Sequence, residues 1–87
     1  MVYTVRNEYV SADIDSIGAE IISIKSKGKE YLCRNRREGR SVNVFPFCGS
    51  PFRGKFLYEG EFFPCETDGF IKRCAFNLIE QTKERLI

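Results

Sequence analysis

Phe45-Pro46-Phe47-Cys48-Gly49-Ser50, then Gly54-Lys55-Phe56-Leu57-Tyr58-Glu59-Gly60, then Thr67-Asp68-Gly69-Phe70-Ile71-Lys72 follow one another closely along the chain. Reading these three stretches decides the fold. Phe56 and Tyr58 lead into Glu59-Gly60, and Phe62-Phe63 follow, so the middle stretch predicts a short β-hairpin whose turn holds the glycine that positive φ angles demand. Proline beside aromatics in the first stretch needs a strand edge or a bulge, and Gly49 permits a tight backbone approach. Asp68-Gly69 in the third is a favoured turn dipeptide.

Working outward, Val10, Ala12 and Ile14 alternate with Ser11, Asp13 and Asp15, the period-two pattern of a strand with one buried face. Glu20 to Lys25 repeats the idea with isoleucines at 21, 22 and 24. Lys27-Gly28-Lys29 then turns the chain into Glu30-Tyr31-Leu32, and the pieces make a short antiparallel meander. Cys74, Phe76 and Leu78 alternate again and predict a further strand before Thr82-Lys83. No internal repeat, low-complexity tract or helical apolar stripe interrupts this pattern. The expectation is an all-β chain, residues 1–87 forming a single partial β-sandwich domain.

Composition agrees with a folded, apolar-cored protein. Of 87 residues, 43% are hydrophobic and 30% charged, with eight Phe and four Tyr, which excludes disorder as the default state. A chain this short buries roughly 60 to 68% of its unfolded surface, and the per-residue rule gives a stability of about 4 to 13 kcal/mol. Net charge is +2, from fourteen basic and twelve acidic residues, too little to imply an acidic partner. No long apolar run and no charged leader before an apolar stretch are present, so a cytoplasmic protein is expected, with no membrane partner.

The whole pattern is similar to a known one. The three stretches resemble the F-P-x-x-G-R, K-Y-x-x-x-G and H-G-F-x-R motifs of the aldose 1-epimerase (galactose mutarotase-like) family. Tyr3 to Tyr9, Ile14 to Lys25 and Gly28 to Leu32 are similar to that family's N-terminal strands. Family members are β-sandwiches several times this length, so the resemblance covers nearly all of this chain but only the N-terminal portion of such a domain. It implies an antiparallel sheet from the first part of the sandwich, and a family function of carbohydrate binding and interconversion of the α and β anomers of hexoses. Arg85-Leu86-Ile87 reads as the start of another strand, and the expectation is a truncated relative.

The departures from the motifs bear on activity. Asp68 stands at the histidine position, and Ser50 and Lys72 stand at the two arginine positions. The resemblance makes these three the residues facing a sugar. Opening a cyclic aldose requires an acid and a base on either side of it, and the family's histidine and glutamate for that work belong to sequence downstream of the portion matched. The chain has no histidine at all. An ionised Asp68 accepts sugar hydroxyls but does not supply a proton, Ser50 offers short-range hydrogen bonds only, and Lys72 keeps a charge without a bidentate fork, with Arg73 a partial substitute. No catalytic residue is assigned, and no activity is expected of the chain alone.

Other constellations favour bland readings. Arg34, Arg36, Arg37 and Arg40 between Tyr31 and Phe45 could suggest stacking on nucleic acid, but no recognition motif accompanies them, so a solvated loop is expected and no nucleic-acid partner. Cys33, Cys48, Cys65 and Cys74 are separated by 15, 17 and 9 positions, unlike the paired ligands of structural zinc. Reduced, mostly buried thiols, no metal and no cofactor are expected. The expected partners are a monosaccharide (a hexose) and, through exposed sheet edges, a second copy of the chain. The alternative function is a small β-sheet interaction module that self-associates or pairs through those edges.

Overall fold

A computed structural model describes residues 1–32 and 41–87. It is all-β, with two antiparallel sheets and two single-turn 3₁₀ helices. β1 (Val2–Arg6), β2 (Ser11–Asp15), β3 (Glu20–Ser26) and β4 (Lys29–Glu30) form a four-stranded meander in chain order. β5 (Lys55–Tyr58) and β6 (Glu61–Pro64) form a separate hairpin. The arginine loop and Cys33 lie outside the described residues.

Pairing rather than local sequence explains the isoleucine run of β3. Tyr3 pairs with Ile14 and Val5 with Ala12 across β1 and β2, so all four share a face. On β3, Ala12 pairs with Ile24 and Ile14 with Ile21, because the register shifts between Asp13 and Ile14. That β-bulge places one extra residue on β3 and lets Ile21 and Ile24, three apart, project to the same side. One face of the meander is therefore Tyr3, Val5, Ala12, Ile14, Ile21 and Ile24. The other carries the row Thr4, Asp13 and Ser23, with the Thr4 hydroxyl donating to Asp13 Oδ1 at 2.6 Å. At its far end Glu30 accepts from the Ser23 hydroxyl and, at 2.8 Å, from the Ile24 N–H. Those bonds hold the Glu30 carboxyl at about 2, below its ordinary value, the Ser23 bond being the main cause.

Both tight hairpins turn on two residues with positive φ, Lys27-Gly28 and Glu59-Gly60, the mirror-image turn that matches strand twist. In β5 and β6, Phe56 pairs with Phe63 and stacks on it at 5.5 Å, and Phe47 packs edge-on against Phe56 at 5.1 Å. Leu57 pairs with Phe62 on the opposite side, where both are largely exposed.

The strand expected around Cys74 to Leu78 is not formed. That segment is extended but makes one isolated bridge, Ala75 to Ile17, flanked by Gly18 N–H to Cys74 O and Phe76 N–H to Ser16 O. Phe76, Asn77 and Leu78 line an open cleft beside Tyr3, Val5 and Ile14 of β1 and β2. Residues 79–87 then fold back on themselves, with Ile87 N–H donating to Glu80 O, and touch the edge of β1 where Arg6 N–H donates to Lys83 O.

Burial is shallow. Among the described residues no large side chain is fully buried, and Cys65 and Ser23 are the most enclosed side chains. Of the three described cysteines, Cys48 is exposed, Cys74 half-buried and Cys65 buried, so the expectation of mostly buried thiols holds for Cys65 alone among them. The molecule measures 51 × 31 × 18 Å with a radius of gyration of 15.9 Å, where a compact domain of this length has about 12 Å.

Candidate functional site

The first and third of the opening stretches meet backbone to backbone. Phe45 and Gly69 form a parallel bridge, with Phe45 N–H donating to Asp68 O and Phe70 N–H to Phe45 O. Glu66 to Gly69 is a turn closed by Gly69 N–H to Glu66 O at 2.9 Å. Asp68 holds a φ of 63° there, a left-handed conformation that aspartate tolerates better than most residues. Gly69 has no latitude, since a Cβ on it would lie 1.6 Å from Phe45 O. The third stretch is also pressed against the meander, where a Cβ on Gly18 would lie 2.6 Å from Lys72 O.

This crossing gathers the three residues expected to face a sugar around Thr67. Asp68 Oδ1 accepts the Gly49 N–H at 2.6 Å, and Asp68 N–H donates to Gly49 O at 2.8 Å, so one residue ties the two loops twice. Ser50 Oγ and Thr67 Oγ1 share a hydrogen bond of 2.7 Å. Lys72 Nζ donates to Thr67 O at 2.8 Å. Arg73, considered as a substitute for a missing arginine, instead pairs with Glu66 at 2.7 Å. Phe45 and Phe70 meet edge-on at 5.9 Å beside the cluster, and both remain about half exposed.

The Asp-Gly pair is thus a turn, and its carboxylate already has a structural task. The cluster still presents exposed hydroxyls at Ser50 and Thr67, a second Asp68 oxygen, and an ammonium with protons beyond the one given to Thr67. These groups can hold vicinal hydroxyls. A small cleft of about 190 Å³ opens next to them, lined by Glu20, Val42, Lys72 and Arg73. Thr67 was not singled out from the sequence; its place before Asp-Gly is the one local signal, and its contacts come from residues 17 and 5 positions away. Among the described residues no group of three potential metal ligands converges, and no helix is long and apolar enough to cross a membrane.

No protein-family model matches the chain. Protein LacX of Lactococcus lactis subsp. lactis, in its plasmid and chromosomal forms, is 32% identical over 89 residues, covering 92% of this chain and 30% of that protein. The galactose mutarotase related enzyme from Lactobacillus acidophilus superposes with a TM-score of 0.91 at 27% identity, over 99% of this chain and 30% of its own. A galactose mutarotase-like protein from Lactobacillus casei shares the fold at a TM-score of 0.88 and 20% identity, again over 30% of its length. The chain therefore spans about 30% of the length of the relatives it matches. With the motif residues 45–50 and 67–72 joined in space and the backbone shared almost end to end, the chain belongs to the aldose 1-epimerase (galactose mutarotase-like) family, as its N-terminal portion.

Proposed function

We propose that the loop crossing around Thr67 is a hexose-binding surface, and that this chain alone does not interconvert anomers. The observation that carries the reading is that Ser50 and Lys72 both hydrogen-bond to Thr67 while the adjacent Asp68 ties the same two loops together through Gly49. Each has lost the side chain the family motif carries, yet the backbone frame that would aim them is kept. A carboxylate, two hydroxyls and an ammonium are the group types that bind sugar hydroxyls. Their short reach and the open surroundings make binding weak, because specificity in such sites is built from many hydrogen bonds. Ring opening needs an acid and base poised near neutrality, and a chain without histidine, with Asp68 held by Gly49 N–H and Glu66 paired with Arg73, does not supply them.

The test is an amide correlation spectrum of the chain titrated with galactose and with glucose to high millimolar concentration. Saturable shifts centred on Gly49, Ser50, Asp68 and Gly69 are expected, with the rate of mutarotation in the same solution equal to that of buffer. Amides in this region that ignore both sugars would overturn the binding reading. A rate above buffer that is lost in Asp68→Asn would overturn the claim of inactivity.

A further inference from the structure

The β5–β6 hairpin covers one of its faces and leaves the other open. Phe56 and Phe63 stack on the covered face, where Phe47 packs against Phe56. By strand alternation the open face carries Lys55 and Leu57 on β5 and Phe62 and Pro64 on β6. Leu57 is 60% and Phe62 67% exposed, and Lys55 Nζ lies 5.5 Å from the centre of the Phe62 ring. The charges on this hairpin are ordered along it. Lys55 sits two residues before the Leu57–Phe62 pair and Glu59, which opens the turn, two residues after Leu57, so each lies about 7 Å along the strand from that pair. Among the described residues neither has an ion-pair partner.

We infer that the open face of this hairpin is a self-docking surface, and that its occupant is the same face of a second copy of the chain, with the two hairpins antiparallel. The charge order selects both the partner and the orientation. A two-fold axis running across the strands along the Leu57–Phe62 pair stacks Leu57 on Leu57 and Phe62 on Phe62 of the second copy, and it exchanges the level of residue 55 with that of residue 59. Lys55 of each chain then faces Glu59 of the other, and Pro64 lies over Gly60, the turn position without a side chain. An axis along the strands would instead oppose Lys55 to Lys55 and Glu59 to Glu59. An anionic partner such as a nucleic-acid backbone would meet Glu59 and Glu61 at the turn, and a wholly apolar partner would desolvate Lys55 without matching its charge. The face is small, about 14 Å long and 10 Å wide for two four-residue strands, so the contact belongs to the weak, reversible class. It uses a sheet face rather than a strand edge, and it involves none of the residues assigned to sugar binding.

The experiment is sedimentation equilibrium of the 87-residue chain and its charge-reversal variants from about 10 µM to about 1 mM, the range in which a contact of this size dissociates. A reversible monomer–dimer equilibrium is expected for the wild type. Lys55→Glu and Glu59→Lys each set like charges against one another on both sides of the axis, and each should weaken the dimer about tenfold or more. Mixed one to one, these two variants should recover a heterodimer of wild-type affinity, because a chain with two acids on this face then meets a chain with two cations. Lys83→Glu, an exposed charge reversal outside the hairpin, should dimerise as the wild type does. Amide spectra of each variant report whether the fold is kept, and recovery on mixing separates a lost contact from a lost fold. A wild-type chain that stays monomeric across the range, a dimer that both hairpin reversals leave unchanged, or folded variants that stay monomeric when mixed would overturn the inference.

Discussion

Asp68 shows how one side chain can hold two distant loops together. Its φ of 63° and its acceptance of the Gly49 N–H join two loops that are 19 residues apart. Asp68→Ala removes the acceptor and places a β-carbon in a left-handed conformation without local compensation, so a loss of about 1–3 kcal/mol in urea unfolding is expected, with Asp68→Asn losing distinctly less. Gly69→Ala is more severe. Its β-carbon would enter the space of Phe45 O, and overpacking together with left-handed strain gives an expected cost of about 2–5 kcal/mol, seen as collapse of amide dispersion at 20 °C or below. The turn was legible in the sequence, because Asp-Gly is a local signal. The coupling of Ser50 to Thr67 was not, since a hydroxyl pair between two loops leaves no periodic trace.

At the scale of elements, β3 and β4 carry an acid switch in their stability. The Ser23 hydroxyl and the N–H groups of Ile24, Tyr31 and Leu32 all favour ionised Glu30, which titrates at about 2 in the fold against 4.5 unfolded. Between these values the unfolded state binds the extra proton, so stability is fully present above pH 4.5 and falls as the pH drops through about 2. Thermal melts of the wild type and Glu30→Gln from pH 6 to pH 2 should converge toward the acid end, the variant being less stable at pH 6. The two X-Gly hairpins were legible because a two-residue turn is set by its own residues. The segment 74–78 makes a single bridge where a strand was expected, since alternation does not record whether a neighbour pairs along the whole strand. The bulge escaped notice for a related reason: Ile21-Ile22-Ser23-Ile24 fits either a regular strand with one outward isoleucine or a shifted one, and only the partner strand decides.

For the whole molecule, shallow burial sets the expectation. The all-β class was readable from periodicity, but how much surface the chain leaves open depends on which layers are present, a property that no window of sequence contains. With 6951 Å² still exposed, unfolding uncovers less new surface than in a compact domain, and the urea dependence of stability should fall below about 1 kcal/mol per molar. Equilibrium urea titration measures it, and a steeper slope would indicate that the apolar face is covered in solution by another copy.

The extra residue in β3 also governs how the strand responds to insertions and deletions. Removing Ile22 would leave Asp13 opposite Ser23 and Ile14 opposite Ile21, so every remaining side chain keeps its face and the ladder becomes regular. Removing Ile24 instead would send Ser23 toward the apolar side and Ile22 toward the polar one. A scan of single-codon losses across Glu20–Ser26 should therefore find soluble protein for Ile22 and aggregation for Ile24: the strand has one residue of slack, and it is confined to one end.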